Sequence, residues 1–193
     1  YLANSEIIGN TINMLPATAG HSGIGIPPTA SDAYNHGMYI TGCAGGLVIS
    51  NNTINMLEKV NNTSSYLIGI AFAGNSEGGE NPMYIVNNMI NMGPADEVRP
   101  SYGIGFRSSN PMGNLFVYNN TIVMNETAST LASYGIGNHT NGTGSVTVDL
   151  KNNIIVNNHT GNTGSSAIGL IPTTSVLTSD NNVLLSNQNL VNF

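Results

Sequence analysis

Arg107 and His139 are the two residues whose types and spacing come nearest to an active site in this chain of 193 residues. They hold equivalent positions of a repeat, one winding apart, which would place them roughly 5 Å from each other. An arginine that holds a carboxylate and a histidine that acts as base would suit an acidic sugar. No carboxylate accompanies them, and Ile171 follows in the next winding. A solvated surface pair is the other interpretation, so both residues are only fallback catalytic candidates.

Metal-binding side chains are few and dispersed. The histidines His21, His36 and His159 lie far apart in the repeat and lack the spacing of a metal site. A calcium site would need several loop carboxylates to converge, and the candidates are Glu77, Glu80, Asp96 and Glu97. We therefore expect no metal and no cofactor.

The remaining polar and reactive residues favour structural roles. Lys151 and Asp180 fall at equivalent positions in adjacent windings, near Asp149, and we expect an exposed ion pair that supports the register. Cys43 is the single cysteine, which excludes an intramolecular disulfide, and we interpret it as a small buried residue.

The composition excludes several classes of protein. Only 7% of the residues are charged, against roughly 25% in an average domain, yet 40% are hydrophobic, so the chain is not of the disordered type. The net charge is −6 with no basic stripe, which argues against a nucleic-acid partner. No apolar run is long enough to span a membrane. The first residue is Tyr1, and we expect a processed or partial chain.

A hexad that contains an Asn pair and an apolar pair recurs along the chain. It reads "GNTINM" at 9–14, "NNTINM" at 51–56, "NNMINM" at 87–92, "NNTIVM" at 119–124, "NNIIVN" at 152–157 and "NNVLLS" at 181–186. The second Asn of successive hexads is 42, 36, 32, 33 and 29 residues from the last. Such periods are typical of solenoids, propellers and other repeat arrays.

Two more β-type segments accompany each hexad. One lies just before the Asn pair, as in "LVIS", "MYIV" and "LFVY"; the other is a "GIG" strand, at 23–26, 67–70, 103–106, 135–138 and 167–170. No window keeps a 3.6-residue period, which excludes helical repeats, and a propeller blade needs four strands. Three strands in about 30 residues predict an all-β solenoid with three strands per coil.

In its repeated strand–"NN"–strand motif the chain resembles the right-handed parallel β-helix family, the pectin-lyase-like superfamily, over nearly its whole length. The resemblance implies a single domain, 1–193, of about five to six coils. It also implies a tight corner with a stacked Asn in the left-handed conformation, which Asn tolerates better than other non-Gly residues. That ladder would contain Asn52, Asn88, Asn120, Asn153 and Asn182.

Alternation predicts which residues face the interior. After the corner the inward column is Ile12, Ile54, Ile90, Ile122, Ile155 and Leu184, followed by Met14, Met56, Met92 and Met124. Before the corner it is Ile7, Ile49, Ile85, Val117 and Leu150, beside Leu47, Met83, Leu115 and Val148. In the GIG strand it is Ile24, Ile68, Ile104, Ile136 and Ile168, with Tyr66, Tyr102 and Tyr134 at the same parity.

This register places a column of glycines on the outer face of the GIG strands: Gly25, Gly69, Gly105, Gly137 and Gly169. Glycine inside a strand is unfavourable, so repeated glycine indicates that something approaches the backbone closely. The functional interpretation is a binding or packing face for another chain or a glycan. The alternatives are that loop 27–45 or 73–82 covers this face, or that the register is inverted and the glycines lie inside.

Three functions remain open. The first is a non-enzymatic extracellular structural protein that forms a filament or part of a surface stalk or adhesin; the strand phase at both ends would allow head-to-tail self-association. A slice of a longer solenoid, or capping by loops, are the alternatives for the ends. The second is the polysaccharide-active enzyme that the resemblance implies. Neither the calcium-binding Asp cluster of pectate lyases nor the Asp cluster of polygalacturonases maps onto this chain. The third is a glycan-binding module that uses the glycine face and exposed aromatics, Tyr84, Phe116 and Tyr118.

Loop sequons that could carry glycans are Asn61, Asn125, Asn138, Asn141 and Asn158.

Overall fold

The computed structural model describes residues 4–14, 34–41, 46–56, 66–73, 82–93, 100–107, 112–125, 130–138, 145–169 and 175–192. These residues form 18 strands in three parallel sheets. Sheet 1 holds the strands before the Asn pairs: β1 (Glu6–Ile8), β4 (Val48–Ser50), β7 (Met83–Val86), β10 (Met112–Tyr118), β13 (Val146–Lys151) and β16 (Val176–Asp180). Sheet 2 holds those after the pairs: β2 (Thr11–Met14), β5 (Thr53–Met56), β8 (Met89–Met92), β11 (Thr121–Met124), β14 (Ile154–Asn157) and β17 (Val183–Ser186). Sheet 3 holds β3 (Tyr34–Thr41), β6 (Tyr66–Ala73), β9 (Ser101–Arg107), β12 (Ser133–Asn138), β15 (Ser166–Gly169) and β18 (Asn189–Asn192).

The topology is that of a parallel β-solenoid. Neighbours in each sheet are three strands apart in the chain, so each winding contributes one strand to every sheet. This confirms the predicted all-β solenoid with three strands per coil. No helix that could span a membrane is found among the residues described.

The interior of sheets 1 and 2 follows the predicted columns. Residues of the Ile column pair in register from β2 to β17, and its four middle members are fully buried. The columns of sheet 1, apart from the partly buried Ile7, and the methionines Met56, Met92 and Met124 are buried in the same core. The side chain of Met14 lies outside the described part. Each buried aliphatic side chain contributes roughly 1.5–3 kcal/mol, which makes this core the main source of stability.

The Asn pair divides two structural tasks between its residues. The first Asn is left-handed and exposed, with φ values of 56° at Asn51, Asn87 and Asn119, 57° at Asn152 and 54° at Asn181. Gly9 takes this position in the first hexad, with φ 71°. The second Asn points inward and is 1–2% exposed at Asn52, Asn88, Asn120 and Asn153. The predicted ladder is therefore confirmed in its members, but the prediction that these residues are themselves left-handed is wrong. The corner needs its positive φ one residue earlier, where the side chain can point to solvent.

The inward amides form one continuous hydrogen-bonded ladder. Each Nδ2 donates to the Oδ1 of the next rung, from Asn10 to Asn52 (3.0 Å) and onward to Asn88 (2.9 Å), Asn120 (3.0 Å), Asn153 (3.1 Å) and Asn182 (2.9 Å). Each main-chain N–H donates to the same oxygen. The other amide hydrogen reaches a carbonyl of sheet 1, such as that of Ile85 from Asn120. These buried amides are therefore satisfied, as buried polar groups must be.

Sheet 3 departs from the predicted register. Ile68 pairs with Tyr102 and Ile70 with Ile104, so β6 is shifted by two residues from the predicted alignment. The strand of the first winding is β3, while Ile24 and Gly25, predicted for this position, lie outside the described residues. Part of the loop 27–45, which was an alternative cover for this sheet, is thus a strand of the sheet itself. β3 and β6 share the motif Tyr-x-His/Ile-Gly-Met/Ile, in which Tyr34 pairs with Tyr66 and His36 with Ile68.

Sheet 3 also contains an irregularity that repeats in each winding. Two consecutive residues face the core at Gly69–Ile70 and at the equivalent pairs 37–38, 103–104, 135–136 and 167–168. A Cβ added at Gly69 would lie 2.6 Å from both Ile90 Cγ2 and the Gly103 carbonyl oxygen, so only glycine fits there. Ile104, Ile136 and Ile168 do face the core as predicted. Ile68, Tyr102 and Tyr134 instead belong to a separate cluster on the outer side.

Candidate binding surface on the outer face of sheet 1

The outer face of sheet 1 carries two columns of side chains that alternate with the core residues. Strand register aligns one column as Glu6, Val48, Tyr84, Phe116, Asp149 and Thr178. The second column is Ile8, Ser50, Val86, Tyr118, Lys151 and Asp180. Aromatic and charged residues therefore concentrate on the middle strands β7, β10 and β13.

Three half-buried aromatic residues form an aromatic strip, defined here as Tyr84, Phe116 and Tyr118. The ring centroids of Tyr84 and Phe116, on neighbouring strands, are 5.2 Å apart. Those of Phe116 and Tyr118, two residues apart on β10, are 5.6 Å apart with planes at 11°. These distances are in the range of favourable aromatic pairs. The strip is a continuous surface outside the core.

Polar groups join the strip on its β13 side. The Tyr118 hydroxyl donates to Asp149 Oδ2 at 2.6 Å, and Lys151 Nζ lies 2.9 Å from the same oxygen. Lys151 Nζ also lies 5.5 Å from the Tyr118 ring centroid, within cation–π range. The other carboxylate oxygen, Asp149 Oδ1, is buried and has no hydrogen-bond partner in the described part of the chain.

These contacts shift the pKa values of all three groups. Burial raises the pKa of Tyr118, and its hydrogen bond to the Asp149 carboxylate raises it further. Burial opposes ionisation of Asp149, but the hydrogen bonds from Tyr118 and Lys151 outweigh it and hold its pKa below the ordinary value. The hydrogen bond to Asp149 raises the pKa of Lys151. At neutral pH the site thus holds a neutral phenol, a carboxylate and an ammonium.

This arrangement suits binding more than bond cleavage. Asp149 Oδ2 already accepts two hydrogen bonds, and the pKa of the carboxyl group is shifted away from neutrality, which is unfavourable for a general base. The aromatic strip offers apolar contact, while hydroxyl and carboxylate oxygens offer hydrogen bonds beside it. Sequence analysis named the three aromatics, but it assigned Lys151 only to register support with Asp180 and gave Asp149 no role. The three aromatics, Asp149 and Lys151 all have the outward parity of sheet 1, and this shared parity could have indicated that they form one surface.

The predicted glycine face does not form one open surface. Gly69 lies on the inner side, against Ile90, while Gly105, Gly137 and Gly169 lie on the outer side and are buried. Tyrosine side chains cover these outer glycines: a Cβ at Gly137 would lie 2.9 Å from Tyr134 Cβ and 3.1 Å from Tyr102 Cδ1. Tyr102 and Tyr134 stack with centroids 5.2 Å apart. The glycines make room for these rings, and this physical reason corrects the prediction of a binding face. Gly25 lies outside the described residues.

The fallback catalytic pair cannot be assembled from the described residues. Arg107 ends β9, where its backbone pairs with Ala73, and nothing is described of its side chain. His139 lies outside the described part of the chain, one residue beyond the Asn138–Phe106 pair. The pair therefore stays a prediction.

The other predicted polar sites are placed as follows. Lys151 and Asp180 do share a register position, but the ion pair at 2.9 Å joins Lys151 to Asp149. His36 is buried beside Tyr39, with ring centroids 5.0 Å apart. Within the described ranges no group of three or more His, Cys, Asp or Glu is placed to hold a metal ion. Cys43 and the loop carboxylates lie outside those ranges.

The sequons differ in accessibility. Asn125 and Asn158 are exposed, whereas Asn138 is 2% exposed at the end of β12. A glycan on Asn138 would have to displace packed structure, so burial disfavours this site, which stays a prediction. Asn61 and Asn141 lie outside the described residues.

A buried polar cluster was not predicted. Ser165 Oγ lies 2.7 Å from His159 Nδ1 and accepts the main-chain N–H of Ser133 at 3.0 Å. Asn157 Oδ1 accepts from Ser133 Oγ and from the His159 N–H. Asn157 takes the position of the methionine column, and this replacement of Met by Asn was the available signal. The cluster is fully buried, and we interpret it as a hydrogen-bonded connection between sheets 2 and 3.

Comparison of the chain with protein-family models, with curated proteins and with solved structures gave no match. The fold alone therefore defines the class, a parallel β-solenoid repeat protein with an internal asparagine ladder.

Proposed function

We propose that the protein is a non-enzymatic structural β-solenoid that stacks head to tail with further copies of itself, into a filament or a surface stalk or adhesin. The observation that carries this proposal is the polarity of the ladder. Every rung donates its main-chain N–H and one amide hydrogen to the following rung. The amide of Asn182 already donates to the Leu150 carbonyl and to Ser179 Oγ, so Asn182 would present its main-chain N–H to a following winding. Asn10 would present Oδ1 to a preceding one. A second copy in the same orientation supplies both partners.

The strand order supports the same geometry. Each winding runs through sheets 1, 2 and 3 in turn. Another winding on either side would therefore continue the coil in phase. Such a head-to-tail contact does not close, so it generates a filament.

The interior positions of the outermost described windings support stacking as well. Ile7, Ile12, Leu177 and Leu184 pack against the core but are only partly buried. A cavity of about 540 Å³ lies beside the first winding, bordered by Ser5, Ile7, Ile40 and Leu47 among others. Ser5 is the first member of an inward column whose other members, from Leu47 to Leu177, are apolar. In a head-to-tail stack, Leu177 of another copy would lie next to Ser5. Burial of these groups would contribute about 25 cal/mol per Å² of apolar area.

Lysine substitutions on a single strand test this proposal. Leu184→Lys places an ammonium at an inward position that stacking would bury, and we expect it to abolish assembly. Leu185→Lys, its neighbour, points outward and is 56% exposed in the wild type, so it is the matched control. Assembly would be followed by electron microscopy and sedimentation velocity over a range of concentrations. Monomers of wild-type protein under all conditions, or fibres that both variants form equally, would overturn the proposal.

We further propose an extracellular or cell-surface location, supported by the exposed sequons Asn125 and Asn158. Protease accessibility of the protein on intact cells tests it. Protection until the cells are lysed would contradict the location.

We also propose kinship with the right-handed pectin-lyase-like superfamily. Its support is the parallel coil of three strands per winding with a column of stacked Asn side chains at one tight corner. An experimental structure with left-handed coiling would exclude this kinship.

A further inference from the structure

We propose that the outer face of sheet 1 binds a neutral polysaccharide, with the aromatic strip against the sugar rings and Asp149 accepting hydrogen bonds from their hydroxyls. This inference is independent of head-to-tail stacking because the site lies on the middle strands of the sheet. It differs from the acidic-sugar chemistry considered for Arg107 and His139 in both face and ligand charge.

The aromatic strip is not required by the core. Its three rings lie outside the core cluster, on outward positions that hold Val48, Ser50 and Thr178 in other windings. Sugar rings have apolar C–H faces and polar edges. Aromatic rings bury such faces well and, in Tyr, add a polar tip. The strip therefore matches a ligand whose surface alternates in the same way.

The shape of the surface favours an extended chain over a single sugar. The site spans neighbouring strands β7, β10 and β13, which extend about 10 Å along the solenoid axis. It is an open sheet face, and a small ligand there would bury little area compared with a pocket. A polymer that lies along the axis gains contacts from several rings at once. The sheet holds these rings in place before binding, which lowers the entropy cost.

The charges favour a neutral ligand. Asp149 and Lys151 neutralise each other at 2.9 Å, so neither is free to attract an ion. The whole chain carries a net charge of −6, which disfavours a polyanion. A sugar hydroxyl donates and accepts, and Asp149 Oδ1 is an acceptor without a partner in the described residues. That oxygen is buried in the unbound chain, so the proposal requires the side chains around Asp149 to move on binding.

Binding assays with defined polymers test the proposal. Co-sedimentation with insoluble cellulose and mannan, and affinity electrophoresis in soluble xylan, provide neutral probes; polygalacturonate and alginate provide acidic ones. We expect retention by at least one neutral polymer and by neither acidic one. Phe116→Ala, in the middle of the strip, should weaken binding about ten-fold or more, as truncation of a central aromatic anchor does.

The control variant is Tyr39→Ala, which removes an aromatic residue that is 41% exposed on sheet 3, outside the strip. It should bind as the wild type does, and circular dichroism should show all variants folded. Tyr118→Phe keeps the ring but removes the hydroxyl bonded to Asp149, and we expect a smaller loss of several-fold. Retention by no neutral polymer, preference for the acidic ones, or equal binding by Phe116→Ala would each overturn the proposal.

Discussion

At the scale of single residues, the two members of the Asn pair are chemically identical and structurally opposite. Asn119 supplies a positive φ and an exposed side chain, whereas Asn120 supplies a buried amide that bridges Asn88 and Asn153. The same residue type succeeds at both places for different reasons: tolerance of the left-handed region at one, and two donors with one acceptor group at the other.

Glycine substitutions separate these two roles. We expect Asn119→Gly to be nearly neutral, because glycine adopts positive φ without strain. Asn120→Gly should cost at least about 2 kcal/mol, because buried donors of Asn88 and the Ile85 carbonyl lose their partners. Chemical denaturation gives the free energy of unfolding of each variant. Equal losses in the two variants would contradict the division of roles.

Asp149 gives a prediction about pH. Its folded-state pKa is lowered, so its contribution to stability is present above the ordinary value of 3.8 and is lost as pH falls through the folded pKa. We expect carboxyl NMR titration to place its midpoint below 3.8, and Tyr118→Phe to raise that midpoint. Tyr84→Phe is the matched control, since the hydroxyl bonded to Asp149 is that of Tyr118. An unchanged midpoint in Tyr118→Phe would show that the hydrogen bond does not set the pKa.

Sequence reading identified the ladder residues because Asn10 to Asn182 recur at one place in the repeat. It could not separate the roles within each pair, since both residues are Asn and only the backbone angle distinguishes them. Asp149 was likewise seen as a surface charge, because its bond to Tyr118 depends on alignment of β10 with β13.

At the scale of elements, sheets 1 and 2 obey simple alternation, apart from one register shift between Met112 and Asn114 in β10, and sheet 3 does not. The inward pair Gly69–Ile70 breaks the period of two, so residues such as Tyr102 move to the outer face. A period-based reading cannot detect this break, because the residue that permits it is a glycine with no side chain to count. The Ile columns were predictable for the opposite reason: each strand of sheet 2 is only four residues long and regular.

The inward glycines of sheet 3 face the Ile column of sheet 2. Gly37, Gly69, Gly103 and Gly135 would each place a Cβ against the Cγ2 methyl of an isoleucine. In the next winding both partners change: Ala167 replaces glycine, and Leu184, which has no methyl on Cβ, replaces isoleucine. The two positions are therefore complementary in shape.

Gly69→Ala tests this packing. The added Cβ would approach Ile90 Cγ2 and a main-chain oxygen at 2.6 Å, and we expect a loss of about 1–3 kcal/mol from overpacking. Gly164→Ala is the control, because its Cβ would meet at 3.0 Å only the end of the Asn162 side chain. Thermal unfolding would compare the two variants. A Gly69→Ala protein as stable as the control would show that the sheets can separate freely at this place.

At the scale of the whole molecule, stability depends on contacts between neighbouring windings, as in other repeat proteins. Ile122 is fully buried between Ile90 and Ile155 in the middle of the stack. A charge there has no partner and interrupts the core on both sides. Its neighbour Thr121 has its side chain on the outer face of the same strand.

Aspartate at these two positions should have opposite effects. We expect Ile122→Asp to unfold the solenoid and Thr121→Asp to remain folded with a small change in stability. Circular dichroism and tyrosine fluorescence report folding, since the chain has eight Tyr and no Trp. Normal melting of Ile122→Asp would refute the assigned register.

The overall architecture was predictable from the sequence because the repeat fixes both strand order and corner. The surfaces were less so, because register between windings decides which outward residues meet. Tyr84, Phe116 and Asp149 are 32 and 33 residues apart in sequence and become neighbours only through pairing of β7, β10 and β13.

The asparagine ladder has a further consequence for the conditions that the protein can tolerate. Carboxamides neither gain nor lose protons across the ordinary range, and salt does not screen a hydrogen bond between neutral groups as it screens an ion pair. A corner stabilised by ion pairs would be weakened at low pH or at high salt concentration. This one should hold alike in fresh water, seawater and mildly acidic fluid, so changes in medium would act on the charged surface and leave the winding intact.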